Sequence, residues 1–296
     1  MTNMSKTIIF FGTEEFSLAS LQALITAGYH IAAVITKPDS KKGRGHQLTP
    51  PSVKVLADQY NIPVWQPIKV TEINQQIKAL HTPVTGVLVS YGKIIPQSTI
   101  DLFTPGIINV HPSLLPKYRG PSPIESAIIN GDTQTGVTIM QLSAAMDAGP
   151  TYAVQIHPLT GNETRPELYR TLASIGAKLL IETLPSVLDS TLKPEPQNDA
   201  DATYCSLLQK SDAVLPLHEL TAIEAERRIR AHLGFPKSKV MIGDNPVILT
   251  KAHVSDQQKT PLDLICRDGA FLSIDELIAP SGRLMNAADF LRGYAA

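Results

Sequence analysis

The chain has 296 residues, 43% of them hydrophobic, which supplies at least one full-sized core and a length that suggests two domains. Lys plus Arg (26) nearly cancel Asp plus Glu (27), so the net charge of -1 gives no global pull toward nucleic acid or membrane, and any polyanionic partner must be held by a local patch. Cys205 and Cys266 are isolated, which argues against a disulfide framework or a zinc site. The opening MTNMSKTIIFFG lacks the marks of a signal peptide, and no run approaches the roughly 20 apolar residues of a membrane span, so a cytoplasmic protein is expected.

Residues 6–12 (KTIIFFG) form an apolar run ending at Gly12, followed by a helical pattern with Phe16, Leu21, Leu24 and Ile25 that Gly28 closes. This is a buried strand feeding a helix. The alternation continues with HIAAVIT (30–36), a helix over about 53–60, PVWQ (63–66), a helix near 72–80, TGVLVSYG (85–92) and GIINVHP (106–112). Strands apolar throughout and separated by helices predict an α/β, Rossmann-like, mostly parallel sheet covered on both faces, with ligands at the carboxyl ends of its strands. A helix near 121–130, β-like segments at 137–142 and 151–157, and a long helix over 166–188 follow, the last opened by Thr164 and Glu167 at capping-box spacing.

Residues 189–203 (DSTLKPEPQNDADAT) then lose all apolar periodicity. The expected division is therefore a catalytic domain over 1–188, a linker over 189–205 and a smaller domain over 206–296. The last holds one helix (LTAIEAERRIRAHL, with Thr221 and Glu224 as a second capping box) and the short β-like runs KVMIG, PVILT, PLDLIC and AFLSI, which suggest a small β-barrel.

The chemistry points to NVHPSLLPKYRGPSP (109–123), a polar, proline-rich loop that begins at the carboxyl end of a buried strand. Asn109 and His111 are two apart, so on a strand both side chains project to the same side. In QLSAAMDAGP (141–150), Asp147 lies among small and apolar residues, a poorly solvated setting suited to proton transfer. Asn, His and Asp together suit acyl transfer to an amine, since the carbonyl oxygen gains negative charge during attack and the amine must lose a proton. Serine-elbow, Walker, HExxH and GxGxxG motifs are all missing, which removes the hydrolase, P-loop, zincin and dinucleotide readings their defining parts.

The stretch NVHPSLLPKYRGPSPIESAIINGDTQTGVTIMQLSAAMDAG resembles the signature of the 10-formyltetrahydrofolate-dependent formyltransferases. Within that family, FFGTEEFSLASLQAL and KPDSKKGRGHQLTPPSVKVLA are similar to the first strand-helix unit and the tRNA-contacting insertion of members that formylate methionyl initiator tRNA. The resemblance implies 10-formyltetrahydrofolate as co-substrate, no metal, and an OB-like β-barrel as the second domain. It implies that Asn109 holds the formyl oxygen, that His111 polarises it, and that Asp147 orients His111 and accepts the proton. By the same resemblance Ser113, Leu114, Leu115 and Pro116 form part of the folate wall, and Val89, Ile94 and Ile95 line its pterin pocket. Arg44, with Lys41 and Lys42, would touch the tRNA acceptor arm. A monomer is expected.

A sugar-nucleotide N-formyltransferase using the same donor is the alternative; it has no use for the basic GRG loop. The second domain has near-balanced charge, and its best basic patch (Arg227, Arg228, Arg230, Lys237, Lys239) is diluted by Glu224 and Glu226, so helical salt bridges explain it equally well.

Overall fold

The computed structural model describes residues 7–42 and 47–294. The chain divides into two compact units, the first formed by Met1–Pro121, Gly136–His157 and Tyr169–Tyr204, the second by Ser122–Thr135, Pro158–Leu168 and Cys205–Ala296. The units are thus not simple consecutive halves. Two short segments that the sequence assigns to the catalytic domain cluster with the C-terminal chain, and residues 189–204 cluster with the first unit.

In chain order the elements up to residue 188 are β1 (Thr7–Gly12), α1 (Phe16–Thr26), β2 (His30–Ile35), β3 (Ser40–Lys42), β4 (Gln47–Thr49), α2 (Ser52–Gln59), β5 (Val64–Trp65), α3 (Asn74–Lys78), β6 (Thr85–Val89), α4 (Gln97–Ile100), β7 (Ile107–His111), α5 (Pro123–Asn130), β8 (Gln134–Gln141), β9 (Thr151–Pro158) and α6 (Arg165–Leu188). Seven strands form one sheet in the order β5-β2-β1-β6-β7-β8-β9. The first five run parallel and β8 pairs antiparallel with β7. The chain leaves β1 toward β2 on one side and returns to β6 on the other, so the order reverses between β1 and β6, where α/β sheets open a crevice.

The parallel strands are apolar because both faces are covered. Ile8, Ile9, Phe10 and Phe11 of β1 are fully buried, and every residue of β7 is buried. Phe11 packs edge-on against Tyr91 and Phe103, with ring centroids 5.5 and 5.7 Å away. Helix α6 is long and apolar enough to cross a bilayer by length and composition, but half of its most apolar window is buried in the protein. Leu172, Leu180, Leu184 and Leu188 repeat at helical spacing on its inner face. At its start Glu167 reaches back to Thr164, the carboxylate accepting from the Thr164 amide at 3.0 Å and hydroxyl at 2.6 Å.

The C-terminal chain adds α7 (Ala222–Ala231), β10 (Lys239–Ile242), β11 (Asn245–Ser255), β12 (Leu264–Ile265), β13 (Phe271–Ile278), β14 (Leu284–Asn286) and α8 (Ala287–Tyr294). Its five strands make an antiparallel sheet in the order β10-β11-β13-β12, with β14 also paired to β13. Leu220, Ala225 and Ile229 on the α7 side share one core with Val247, Leu249, Leu272, Leu277 and Phe290. The Thr221–Glu224 capping box starts α7.

Within this unit His232, which ends α7, is buried and lies 3.2 Å from the Ser238 hydroxyl. Burial, and then the Arg228 charge, hold its pKa down to about 4 against an ordinary 6.5, with Asp212 opposing. The folded chain resists a proton that the unfolded chain accepts below pH 6.5, so stability is full above 6.5 and falls as pH drops toward 4. The loss is at most ~3 kcal/mol. Urea titrations of wild type and His232→Gln across that window check this: the stability difference between them shrinks as pH falls.

Candidate active site

Asn109 and His111 end β7, and alternation along the strand aims both to the same side, where they meet Asp147. Both are almost wholly buried, at 4% and 5% exposure. Asn109 Nδ2 donates to Asp147 Oδ1 at 3.5 Å, and His111 Nδ1 stands 3.7 Å from Asp147 Oδ2. The other ring nitrogen, Nε2, is 3.0 Å from the Tyr118 carbonyl. A carbonyl only accepts, so Nε2 carries a hydrogen there and Nδ1 is the nitrogen turned to the site.

Asp147 arrives by a different route. Because β8 runs antiparallel to β7, its end at Gln141 pairs with Ile108, near the start of β7, and the loop after it must fold back to reach Asn109 and His111. The Gln141 amide closes this loop by donating to the Pro150 carbonyl at 2.8 Å. At Gly149 any side chain is excluded, since a Cβ would sit 1.9 Å from the Gln141 carbonyl oxygen. Asp147 itself holds a left-handed φ of 48°, and its Oδ2 accepts from the Gly120 amide at 2.9 Å. Ser90 and Tyr118 are also left-handed, at φ 48° and 58°. Such conformations cost on the order of 1–3 kcal/mol each and persist only where the surroundings impose them.

Asp147 is less withdrawn from water than its Ala, Met and Gly neighbours suggest. Its side chain keeps 16% exposure and Met146 beside it is exposed.

Ser113 is fully buried, its hydroxyl donating to the Lys117 carbonyl at 2.6 Å, so it fastens its own loop. Thr138 on β8 fixes the same loop: its hydroxyl donates to the Ser113 carbonyl at 2.7 Å and accepts from the Leu115 amide at 3.2 Å. Leu114, Leu115 and Pro116 are half-buried. Val89 and Ile95 belong to the buried core, whereas Ile94 is 80% exposed beyond the end of β6. Of the three predicted pocket residues, only Ile94 turns its side chain outward.

At the basic segment, Ser40–Lys42 of β3 pairs antiparallel with Gln47–Thr49 of β4. Lys41 is exposed, Lys42 lies in β3, and Arg44 lies outside the described residues. The base of this pair is tied down, for Gln66 Nε2 donates to the Lys37 carbonyl at 2.8 Å and to Asp39 at 2.7 Å, while Lys54 Nζ reaches Asp39 at 3.0 Å and Gln66 Oε1 at 2.9 Å. These hydrogen bonds, from Gln66 first and then Lys54, hold the Asp39 carboxyl below the usual carboxylate range. In the second unit Arg230 is bound to Glu226 at 2.6 Å, which partly neutralises the basic patch on α7, while Glu224 is engaged from outside the patch by Arg267 at 3.3 Å.

A formyl transferase family model matches residues 5–184, which include β7, the loop after it and Asp147. This chain belongs to the formyl transferase family. Among its curated relatives, the methionyl-tRNA formyltransferase of Pelobacter propionicus is 36% identical over 98% of this chain and 93% of that one. The methionyl-tRNA formyltransferase of Halorhodospira halophila is 38% identical over 98% and 97%. Among solved structures, an N-formyltransferase from Helicobacter canadensis, crystallised with folinic acid and dTDP-3-aminofucose, superposes with a TM-score of 0.69 at 19% identity, covering 92% of this chain and 99% of that one. At that identity the likeness is one of fold.

Sequence reasoning missed Thr138, Arg119, the Gly120 amide and Gln197 as parts of the site's support. Thr138 had a signal, a polar residue inside the apolar GVTIMQL run. Replacing it with the isosteric valine leaves the Leu115 amide and the Ser113 carbonyl without their partner, at about 1–3 kcal/mol. Thermal denaturation of Thr138→Val should show a clear fall in Tm with the folded secondary structure retained by circular dichroism.

Proposed function

We propose that this chain transfers the formyl group of 10-formyltetrahydrofolate to the amino group of methionyl initiator tRNA in the cytoplasm, giving N-formylmethionyl-tRNA. The observation that carries this reading is the convergence of Asn109, His111 and Asp147 at the end of β7, in a chain that matches methionyl-tRNA formyltransferases over nearly its whole length. A buried amide donor, an imidazole nitrogen and a carboxylate that meet at a strand end are what acyl transfer to an amine requires.

In this reading the amine attacks the formyl carbon, and the developing oxyanion is met by Asn109 Nδ2 and by His111 in its doubly protonated form, which carries a hydrogen on Nδ1 as well as on Nε2. His111 works through Nδ1 because Nε2 is committed to the Tyr118 carbonyl. Asp147 orients the ring and accepts the amine proton, directly or through water. The C–N bond to the folate then breaks and the proton ends on the departing N10. Leu114, Leu115, Pro116 and the outward Ile94 form apolar surface for the folate, and no metal takes part.

The exposed Lys41, with its sequence neighbours Lys42 and Arg44, follows the tRNA backbone, and a local basic patch is what a chain of net charge -1 needs for such a partner. The five-stranded sheet of the second unit serves as an OB-like support for the RNA. The protein acts as a monomer.

The test offers purified protein 10-formyltetrahydrofolate with methionyl initiator tRNA and an amino-sugar nucleotide in competition. Formylmethionyl-tRNA is the expected product, and formylated sugar, or free formate alone, would refute the acceptor assignment. Asn109→Ala should lower kcat on the order of 10²–10³-fold, the usual consequence of removing an oxyanion donor. Arg44→Ala should raise KM for the tRNA while leaving that for the folate within about twofold, since a lost phosphate contact weakens binding alone.

A further inference from the structure

We infer that Gln197 is a positioning residue for the reaction, holding the Asp147 turn in its working conformation from a segment that composition alone reads as a linker. The inference rests on the formyl-transfer reading for the role of Asp147, and on geometry for the rest.

Gln197 lies 50 residues from Asp147 in sequence. Its Nε2 donates to the Asp147 carbonyl at 2.7 Å and to the Gly149 carbonyl at 2.7 Å. Its Oε1 accepts from Arg119 Nε at 3.1 Å and Nη2 at 2.9 Å. This fixes which way the amide points, because arginine only donates and carbonyls only accept. Two donors and a double acceptor in one planar group belong to asparagine and glutamine alone, and the longer side chain spans the gap here.

Arg119 is itself 2% exposed and is further held by Asp199 Oδ1 at 2.7 Å and the Tyr204 hydroxyl at 3.2 Å. A buried guanidinium with several acceptors is a rigid platform. The segment carrying Gln197 is fastened on both sides. Glu195 and Thr151 exchange backbone hydrogen bonds at 2.8 Å in each direction. Thr203 donates from its amide to the Pro116 carbonyl at 3.2 Å, accepts from the Arg119 amide at 2.8 Å, and takes the Tyr118 amide on its hydroxyl at 2.9 Å.

One stretch of chain therefore braces both flanks of the site. On one flank it holds Tyr118, whose carbonyl fixes His111 Nε2; on the other it holds the left-handed backbone of Asp147. A left-handed aspartate released from its two carbonyl clamps is free to relax to an ordinary φ, which swings its carboxylate away from Asn109 and His111.

The experiment compares wild type with Gln197→Glu and Gln197→Ala. The glutamate variant keeps the shape and the contact with Arg119 but sets a carboxylate oxygen against the two carbonyls. Steady-state formylation of methionyl-tRNA, thermal denaturation, and hydrogen–deuterium exchange of peptides spanning 117–121, 143–150 and α6 are measured together. Expected for Gln197→Glu is a fall in kcat of about tenfold or more, with both KM values within about twofold of wild type. Exchange should quicken in 143–150 and not in α6. Wild-type kcat with unaltered exchange in 143–150 overturns the inference, as does a parallel loss of Tm, KM and exchange protection throughout, which marks a merely structural residue. Should the wild type formylate no tRNA, the acceptor reading fails, and exchange at 143–150 alone then decides the role of Gln197.

Discussion

An asparagine and a histidine buried at the end of a strand oblige the surrounding chain to supply partners for them, because an unpaired polar group away from water costs on the order of 1–3 kcal/mol. Much of the first unit is arranged around that obligation. The Tyr118 carbonyl takes one nitrogen of His111, and the Asp147 carboxylate faces the other nitrogen and the Asn109 amide. Each of those partners sits in a left-handed backbone conformation and needs partners in turn. Gly120, Thr203 and Gln197 provide them. The parallel sheet sets where the two polar side chains emerge, and the loops set what they meet.

This arrangement also explains why β8 reverses the direction of the sheet. A further parallel strand would carry its carboxyl end to the same edge as β7 without a fold-back. The antiparallel β8 instead ends beside the start of β7, and the return loop crosses the site on its way to β9. Asp147 is presented at the middle of that crossing. The close approach at Gly149 and the Pro150 closure make the loop short and stiff.

Much of the sheet was legible in the sequence, because strands buried on both faces must be apolar and their helices must carry a periodic stripe. The Thr221–Glu224 capping box and the Thr164–Glu167 pairing were readable for the same kind of local reason. The β3–β4 pair was not, since polar strands outside the main core leave no periodic mark. Asn109, His111 and Asp147 were legible as a motif, and the structure brings the three together. Hydrophobicity could not separate Ile94 from Ile95, identical neighbours of which one faces out and the other enters the core. Nor could it find Gln197, whose partner Arg119 is 78 residues away and whose hydrogen bonds need no apolar periodicity. A polar stretch reads as slack chain whenever polar contacts hold it.

The buried Arg119 has a consequence for how such a protein could be cut or recombined. Its acceptors Gln197, Asp199 and Tyr204 all lie beyond the last helix of the sheet. A fragment ending with α6 would contain every strand of the first unit and all three motif residues, yet strand a guanidinium in the interior. A piece that keeps this guanidinium paired extends at least through Tyr204, and a chimera that exchanges C-terminal modules preserves its acceptors only when the splice falls after that residue.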